Sequence, residues 1–454
     1  MDQKVFFIKT FGCQMNERDS EIMAQSLASH GYVEGMDVGG ADLIILNTCS
    51  IRAKAEQKVM SMLGYLRKRK ENKPELKICV AGCVAQQEGK RIIAKMRHVD
   101  LVVGTQNIYN IVELLEKASH NGPRVVTDLQ DKYDIPNLIP SFSRQENDPR
   151  PSVVPFRKFV TIMQGCNNYC TYCVVPHTRG REVSRKYNDI IEEVDVLVKS
   201  GVQEITLLGQ NVNSYGKTNS VNPDNSAYSF SDLLHDVSLV EGLKRLRFTT
   251  SNPKDLTDEL IRCFQDIKNL CHQFHLPVQS GSDAILKKMN RKYTIDQYLA
   301  QVEKLRRYCP DIALTTDVIV GFPGESSDDF ECTMELLEQV QFHGSFSFKY
   351  SDRPGTLAST FEDKIEKSIQ SERLARFQKR QDEISLKKNE EYVGTIKNVM
   401  VENCTGEDVK GRTGTNHIVH FKKRSDLSPG DCVDITITHA GQHSLQGETV
   451  QTDL

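Results

Sequence analysis

The chain has 454 residues, a net charge of −3 and 38% hydrophobic content, which allows roughly three domains and excludes a protein that binds nucleic acid by bulk positive charge; any such surface must be a local patch. No apolar run approaches the ~18–20 residues of a membrane span, and the start, Met1-Asp-Gln-Lys-Val-Phe-Phe-Ile-Lys-Thr10, reads as a strand and not as a signal peptide. The expectation is a cytoplasmic protein in a reducing compartment, where thirteen cysteines argue for cofactor ligation over a disulfide framework.

Residues 1–118 alternate strand and helix signals. Runs 5–9, 43–47 and 76–81 have strand length and apolar character, with helical stretches such as 19–30 and 52–70 between them. This rhythm predicts a parallel βαβ sheet. A loop cysteine follows each run within four residues: Cys13, Cys49 and Cys83. Open parallel sheets bind ligands at the carboxyl ends of their strands, so the three cysteines are expected on one sheet edge, about one βαβ unit apart. The plainer alternative is three unrelated buried thiols. Cys79, inside the third run, reads as core.

Residues 119–155 carry six of the fifteen prolines and much Asp, Asn, Ser and Gln, the composition of a connector. Residues 156–388 give a second α/β pattern. Strand runs fall at 159–163, 204–208, 245–249, 273–276, 313–320 and 345–349, with helical stretches at 190–200, 231–240, 256–265, 295–307 and 328–339. Six such units predict a partial (β/α)6 barrel. Its glycine-rich and polar segments follow the strands, the face on which β/α barrels place their chemistry.

The first of these segments holds Cys166, Cys170 and Cys173 with C-x3-C-x2-C spacing. Three thiolates on one short loop can hold three irons of a 4Fe–4S cluster and leave the fourth open. Zinc is the rival reading, since His177 would complete a Cys3His set. A charged helix is expected over 363–388. From about 389 to 454 short β runs at 396–401, 417–421 and 433–438 predict a small antiparallel β-barrel. Lys422, Lys423 and Arg424, near His417, His420 and Phe421, form a basic spot that fits either a solvated surface or RNA contact.

With both cysteine triplets in view, the chain resembles the methylthiotransferase branch of the radical S-adenosylmethionine (SAM) enzymes over essentially its whole length. The resemblance rests on Thr10-Phe-Gly-Cys-Gln-Met-Asn16, Asn47-Thr-Cys-Ser-Ile-Arg52, Ala81-Gly-Cys-Val-Ala-Gln86, the 163–181 loop with Tyr172 before its last cysteine, Leu208-Gly-Gln-Asn-Val-Asn-Ser-Tyr215 and His275-Leu-Pro-Val-Gln-Ser-Gly-Ser282. Gly411-Arg-Thr-Gly-Thr-Asn-His-Ile-Val-His-Phe421 is similar to the RNA-binding TRAM barrel.

The resemblance implies two 4Fe–4S clusters. Cys166, Cys170 and Cys173 would hold the one that cleaves SAM, and Cys13, Cys49 and Cys83 an auxiliary one. It further implies SAM contacts from Tyr172, Gln210, Asn211, Asp317 and Gly321, although amides stand at 210 and 211 where the superfamily carries an acid. Arg179, Arg181, Arg185 and Lys186 would meet tRNA phosphates or form salt bridges within the barrel. The implied reaction adds a methylthio group to carbon 2 of isopentenyl-adenosine in the tRNA anticodon stem-loop, with an external electron donor and sulfur source. The alternatives are a methylthiotransferase acting on threonylcarbamoyl-adenosine in tRNA or on a ribosomal-protein aspartate, and a non-catalytic iron–sulfur RNA-binding protein.

Overall fold

The computed structural model describes residues 3–50, 53–130, 133–137, 155–218, 228–423 and 427–450, less the side chains of 53–55 and 119–121. Ile51, Arg52 and Arg424 lie outside the described residues.

The N-terminal unit is a six-stranded sheet: β1 (Val5–Phe11), β2 (Val33–Glu34), β3 (Leu43–Thr48), β4 (Lys77–Gly82), β5 (Leu101–Val103) and β6 (Arg124–Val126), in the order β2-β1-β3-β4-β5-β6. Every pairing is parallel. Helices α1 (Gln14–Ser29), α2 (Ala53–Asn72), α3 (Cys83–Lys95) and α4 (Ile111–Asn121) connect the strands. All six residues of β3 are buried, as expected of a parallel strand covered on both faces. Alternate residues feed two cores. Leu43, Ile45, Cys79 and Ala81 pack with Ile22, Met23 and Leu115, whereas Ile44, Leu46, Ile78 and Val80 pack with Val59, Leu63 and Ile92. Cys79 is thus core. The edge strand β6 lies inside the stretch read above as connector; three residues are too few to carry a periodic signal.

The central unit contains β7 (Arg157–Thr161), β8 (Met163–Gln164), α5 (Val175–Arg179), β9 (Val183–Ser184), α6 (Tyr187–Lys199), β10 (Glu204–Leu208), α7 (Phe230–Ser238), β11 (Arg245–Phe248), α8 (Asp258–Asp266), β12 (Gln273–His275), α9 (Asp283–Lys288), α10 (Ile295–Tyr308), β13 (Ala313–Val320), α11 (Ser327–Val340), β14 (Gly344–Lys349) and α12 (Lys367–Glu390). Two three-stranded parallel sheets, β7-β10-β11 and β12-β13-β14, are linked by a parallel bridge between Leu246 and Leu270. Among the described residues β14 and β7 are not paired, so the six-stranded arc stays open. One continuous core fills the space between strands and helices, from Val160 and Leu207 through Phe248 and Phe274 to Phe342 and Phe377.

The C-terminal unit is a closed barrel of β15 (Ile396–Thr405), β16 (Asp408–Thr413), β17 (Ile418–Lys422), β18 (Cys432–Ala440) and β19 (Leu445–Thr449), ordered β15-β16-β17-β19-β18. The pairing of β17 with β19 is parallel and the other four are antiparallel. The wholly antiparallel expectation is corrected here for a geometric reason: an odd number of strands cannot alternate direction around a closed ring. The barrel docks on the amino ends of the central strands, opposite the cysteine loop. Arg245 donates to the carbonyls of Arg412 (2.6 Å) and Asn398 (3.0 Å), Arg247 to that of Thr413 (2.8 Å), and Arg157 pairs with Glu402 (2.6 Å). Phe421 is buried in the barrel core, so the aromatic–basic surface cluster expected at 421–424 loses its aromatic member. Exposed Lys422 pairs with Asp408 at 2.8 Å.

Two imidazoles meet where this barrel adjoins the central unit, with His343 and His417 ring centroids 5.8 Å apart. Burial first, then His417, Lys388 and Arg306, lowers His343 to about 3; burial first, then Lys397 and Arg412, lowers His417 to about 4. Unfolded histidines titrate near ~6.5, so below that pH the unfolded chain binds more protons than the folded one. The stabilisation is therefore complete above pH ~6.5 and is lost as pH falls through the folded values. Thermal unfolding monitored between pH 7 and 4 is expected to show a falling Tm that flattens in the His343→Gln, His417→Gln double variant. An unchanged slope in that variant contradicts the assignment.

Candidate iron–sulfur and SAM site

The N-terminal triplet converges because three parallel strands end side by side. Cys13 precedes α1, Cys49 follows β3 directly, and Cys83 opens α3. Two glycines allow the close approach. A Cβ on Gly12 would lie 2.5 Å from the Cβ of Cys49, and one on Gly82, at φ +89°, would lie 2.3 Å from Asn47 Oδ1. Asn16 and Asn47 lock the loops together: Asn16 Nδ2 donates to Asn47 Oδ1 at 3.1 Å, and Asn47 Nδ2 donates to the Asn16 carbonyl at 2.8 Å. The Cys13 thiol donates to Asn16 Oδ1 at 3.4 Å.

Cys13 is lowered to about 6, chiefly by its hydrogen bond with Cys49, against the opposing effect of burial and with help from the Arg179 guanidinium and backbone N–H groups at the start of α1. Burial pushes Cys83 up. Arg179 is itself held by Asp19, at 2.6 Å to Oδ2 and 3.4 Å to Oδ1, with both residues buried.

The second triplet sits on the loop between β8 and α5. Gly165, at φ +79°, starts it; a Cβ there would lie 2.0 Å from the Arg181 carbonyl oxygen. Gln210 Oε1 accepts from Gly165 N–H at 2.5 Å. The loop's middle is held by Thr171 N–H on the Met289 carbonyl (3.1 Å) and Ala358 N–H on the Thr171 carbonyl (2.8 Å). Each sulfur accepts a hydrogen bond: Cys166 from Asn168 Nδ2 (3.4 Å), Cys170 from Arg291 Nη1 (3.5 Å) and Cys173 from Val175 N–H (3.5 Å). Burial, then the neighbouring Cys170, pushes the Cys173 thiol up to about 12. A metal would have to displace that proton, as thiolate ligation requires.

The donor sets fit clusters better than single ions. One zinc holds every thiolate within about 2.3 Å of itself. Yet neither triplet gathers its three sulfurs within 4.8 Å of one another; among the described residues only His272, Cys309 and Asp311 form such a group of metal-ligand atoms. A four-iron cluster tolerates the wider spacing because each thiolate binds a different iron. His177 is exposed.

The residues expected at SAM divide. Tyr172 packs edge-on against Phe322, 6.5 Å between centroids. Gln210 braces the cysteine loop, and Asn211 donates to Asp255 at 2.7 Å. Asp317 lies 3.4 Å from His275 Nε2. Gly321 is covered by Gln370, whose Cγ would meet a Cβ at 2.4 Å. Buried polar atoms without partners collect at the carboxyl end of the arc: Gln164 Nε2, Gln210 Nε2, Asn211 Oδ1, Asn213 Oδ1 and Ser251 Oγ. Buried groups of this kind are normally satisfied, so this edge fits a polar ligand such as SAM. Of the basic residues after the loop, Arg179 and Arg185 are buried and paired with Asp19 and Glu193. Arg181 and Lys186 are exposed.

Sequence reasoning missed Arg291, Asp19 and the Asn16–Asn47 lock. The two asparagines stand inside quoted motifs and were findable there. Arg291 is 118 residues beyond Cys173, and nothing in its local sequence signals a contact with Cys170.

Comparison with known proteins agrees with this site. Residues 5–104 match the uncharacterized protein family UPF0004 and residues 160–337 the radical SAM superfamily. The central unit thus defines a radical SAM protein. Two solved structures of the radical SAM methyltransferase TsrM from Kitasatospora setae share the fold. One has a TM-score of 0.56 at 12% identity, covering 89% of this chain and 79% of that one; the other has 0.55, covering 79% and 74%. Across its full length the chain is 62% identical to the tRNA-2-methylthio-N(6)-dimethylallyladenosine synthase of Desulfotalea psychrophila, covering 99% of this chain and 100% of that protein. It is 48% identical to the synthase of Syntrophobacter fumaroxidans, covering 98% and 95%. The chain belongs to the tRNA-2-methylthio-N(6)-dimethylallyladenosine synthase family.

Two outcomes test the geometry. Gly165→Ala drives a methyl group into the Arg181 carbonyl, so the purified variant is expected to lose about half its iron with its fold retained by circular dichroism. Full iron content contradicts the role given to this glycine. Asp19→Ala leaves Arg179 buried and unpaired, which costs about 3–5 kcal/mol; denaturant unfolding of the full chain measures it, and a loss below ~1 kcal/mol contradicts the pairing.

Proposed function

We propose that this protein transfers a methylthio group to carbon 2 of N6-dimethylallyl-adenosine (isopentenyl-adenosine) next to the anticodon of tRNA. The observation that carries the reading is the pair of cysteine triplets joined through one buried cation. Cys166, Cys170 and Cys173 would hold the radical SAM cluster, and Cys13, Cys49 and Cys83 the auxiliary cluster. When bound, these groups and SAM supply reductive cleavage, hydrogen abstraction from an unactivated carbon and a place for the sulfur.

The chain's own residues then position and shield. Gln210 and Gly165 set the loop's entry, and Arg291 and Asn168 donate to its sulfurs, which stabilises negative charge there. Arg179 does the same beside Cys13 and Cys83. The unpartnered polar atoms of Gln164, Gln210, Asn211, Asn213 and Ser251 are suited to SAM's amino, carboxylate and ribose groups. Tyr172 would pack on SAM's adenine, and Asp317 within β13 and Gly321 directly after it would approach SAM's ribose or adenine.

No helix among the described residues is long and apolar enough to cross a membrane, and the work on tRNA fits a cytoplasmic location. An external electron donor and a sulfur source complete the reaction. Lys422 and Lys423 on the C-terminal barrel offer phosphate contacts; Lys422 would exchange Asp408 for RNA. The names of the full-length relatives favour the dimethylallyl substrate over threonylcarbamoyl-adenosine or a protein aspartate.

Anaerobically reconstituted protein is expected to hold about eight irons and to convert dimethylallyl-adenosine in tRNA to its 2-methylthio form, read by nucleoside mass spectrometry. Replacing Cys13, Cys49 and Cys83 by Ala should halve the iron and abolish product. Replacing Cys166, Cys170 and Cys173 should abolish reductive SAM cleavage as well. Full iron in either triple variant, or preferred modification of threonylcarbamoylated tRNA, overturns the reading.

A further inference from the structure

Phe346 and Phe348 are 58% and 44% exposed, and they are the only exposed phenylalanines among the described residues. Both lie on β14, the edge strand of the open arc. Their neighbours in sequence face outward: Ser347 Oγ accepts from Gln378 Nε2 at 3.2 Å and Lys349 Nζ donates to Ser371 Oγ at 3.2 Å, both on α12. Side chains alternate along a strand, so Phe346 and Phe348 face the opposite side, the lumen of the arc. In register, Phe346 pairs with Asp317 and Phe348 with Ile319. Asp317 and Ile319 are only partly buried, whereas Thr316, Val318 and Val320 between them are buried against the helices.

His275, on β12, completes this face. Its ring meets Phe346 at 6.1 Å and 70°, and its Nδ1 is 3.0 Å from Thr315 Oγ1. The face is continuous with the cluster loop. Two residues past His275, the Pro277 carbonyl accepts from Arg291 Nη2 at 3.0 Å, and the same guanidinium donates to Cys170. An exposed apolar pair on an edge strand is an aggregation hazard that proteins usually blunt. Here the pair faces the lumen of the open arc, on the side that leads through Pro277 and Arg291 to Cys170.

We propose that Phe346 and Phe348, braced by His275, form the shelf that takes the dimethylallyl-adenine base, with the ring faces stacking on the base and the tail; this rests on the tRNA reading above. A neutral purine with a branched hydrocarbon tail matches two apolar rings. Asp317 on the same face would repel the carboxylate of a threonylcarbamoyl group or of an aspartate, so the shelf also discriminates among the competing substrates.

The test measures binding of two tRNAs, identical except for the dimethylallyl group, to anaerobic holoenzyme. The wild type should bind the modified tRNA at least about fivefold more tightly, which burial of one to two of the tail's carbons against the rings supplies at about 0.8 kcal/mol each. Phe346→Ala combined with Phe348→Ala should bring the ratio close to one. Phe346→Tyr, which keeps the ring, should retain most of it, and KM should rise more than kcat falls in the Ala variants. A wild-type ratio in the double Ala variant overturns the shelf, as does a wild-type protein that modifies the dimethylallyl tRNA yet binds both tRNAs equally. If the double variant loses iron or fold, Phe346→Leu decides: an unchanged ratio there overturns stacking at this position. A wild type that modifies no dimethylallyl-adenosine at all sinks the functional reading instead, so the two failures are separable.

Discussion

The buried ion pair of Arg179 with Asp19 is the interaction on which the arrangement depends. Arg179 ends α5, the helix that begins just after Cys173, and its guanidinium lies beside Cys13 and Cys83. Asp19 lies on α1, the helix that Cys13 precedes. One cation therefore touches the sheet edge that carries one triplet while belonging to the loop that carries the other. Two charges out of water cost several kcal/mol each unless well paired, so the pair forms in one relative placement of the two units. Arg18 with Glu193 (2.5 Å), and Arg185 with the same Glu193, extend the buried network along the same junction. Lys158 with Glu21 at 3.0 Å continues it to β7.

Charge also suits the chemistry expected there. A cluster with three thiolate ligands carries net negative charge, and Arg179 and Arg291 each supply a fixed positive group to one triplet. Neither is placed to be a ligand. Both are positioned to stabilise negative charge on the sulfurs, Arg291 at Cys170 and Arg179 at Cys83. The C-terminal barrel contributes nothing to this shielding, because it docks at the other end of the strands through Arg157, Arg245 and Arg247. Its contribution to function, if RNA contact, is made at a distance from the reacting centre and through the size of the tRNA.

Much of the architecture was legible because it is periodic. Apolar runs of strand length separated by helical stretches located the central strands of both α/β units within a residue or two, and the rule that ligands gather at carboxyl ends brought Cys13, Cys49 and Cys83 to one edge. The failures share a cause. Strand β6 has three residues, too short to show a period. Phe421 stands beside a basic run that fits a surface, yet alternation along β17 turns it inward, and the parallel pairing of β17 with β19 is a property of ring closure that no segment displays. Arg179 and Arg185 were ambiguous between RNA and salt bridges until the facing carboxylates, on α1 and α6, were known.

By itself the sequence brought forward two cysteine triplets as candidate ligands, because C-x3-C-x2-C and three post-strand cysteines are local patterns, and the family resemblance carried by the surrounding motifs supplied the cofactor class. Tertiary structure alone decided what surrounds them: Arg291 on Cys170, Asp19 on Arg179, and Phe346 and Phe348 left open on the lumen face. Those contacts join residues far apart in the chain or depend on which side of a strand stays uncovered. Neither quantity is written in any window of sequence, since both arise only when separately folded layers are brought together.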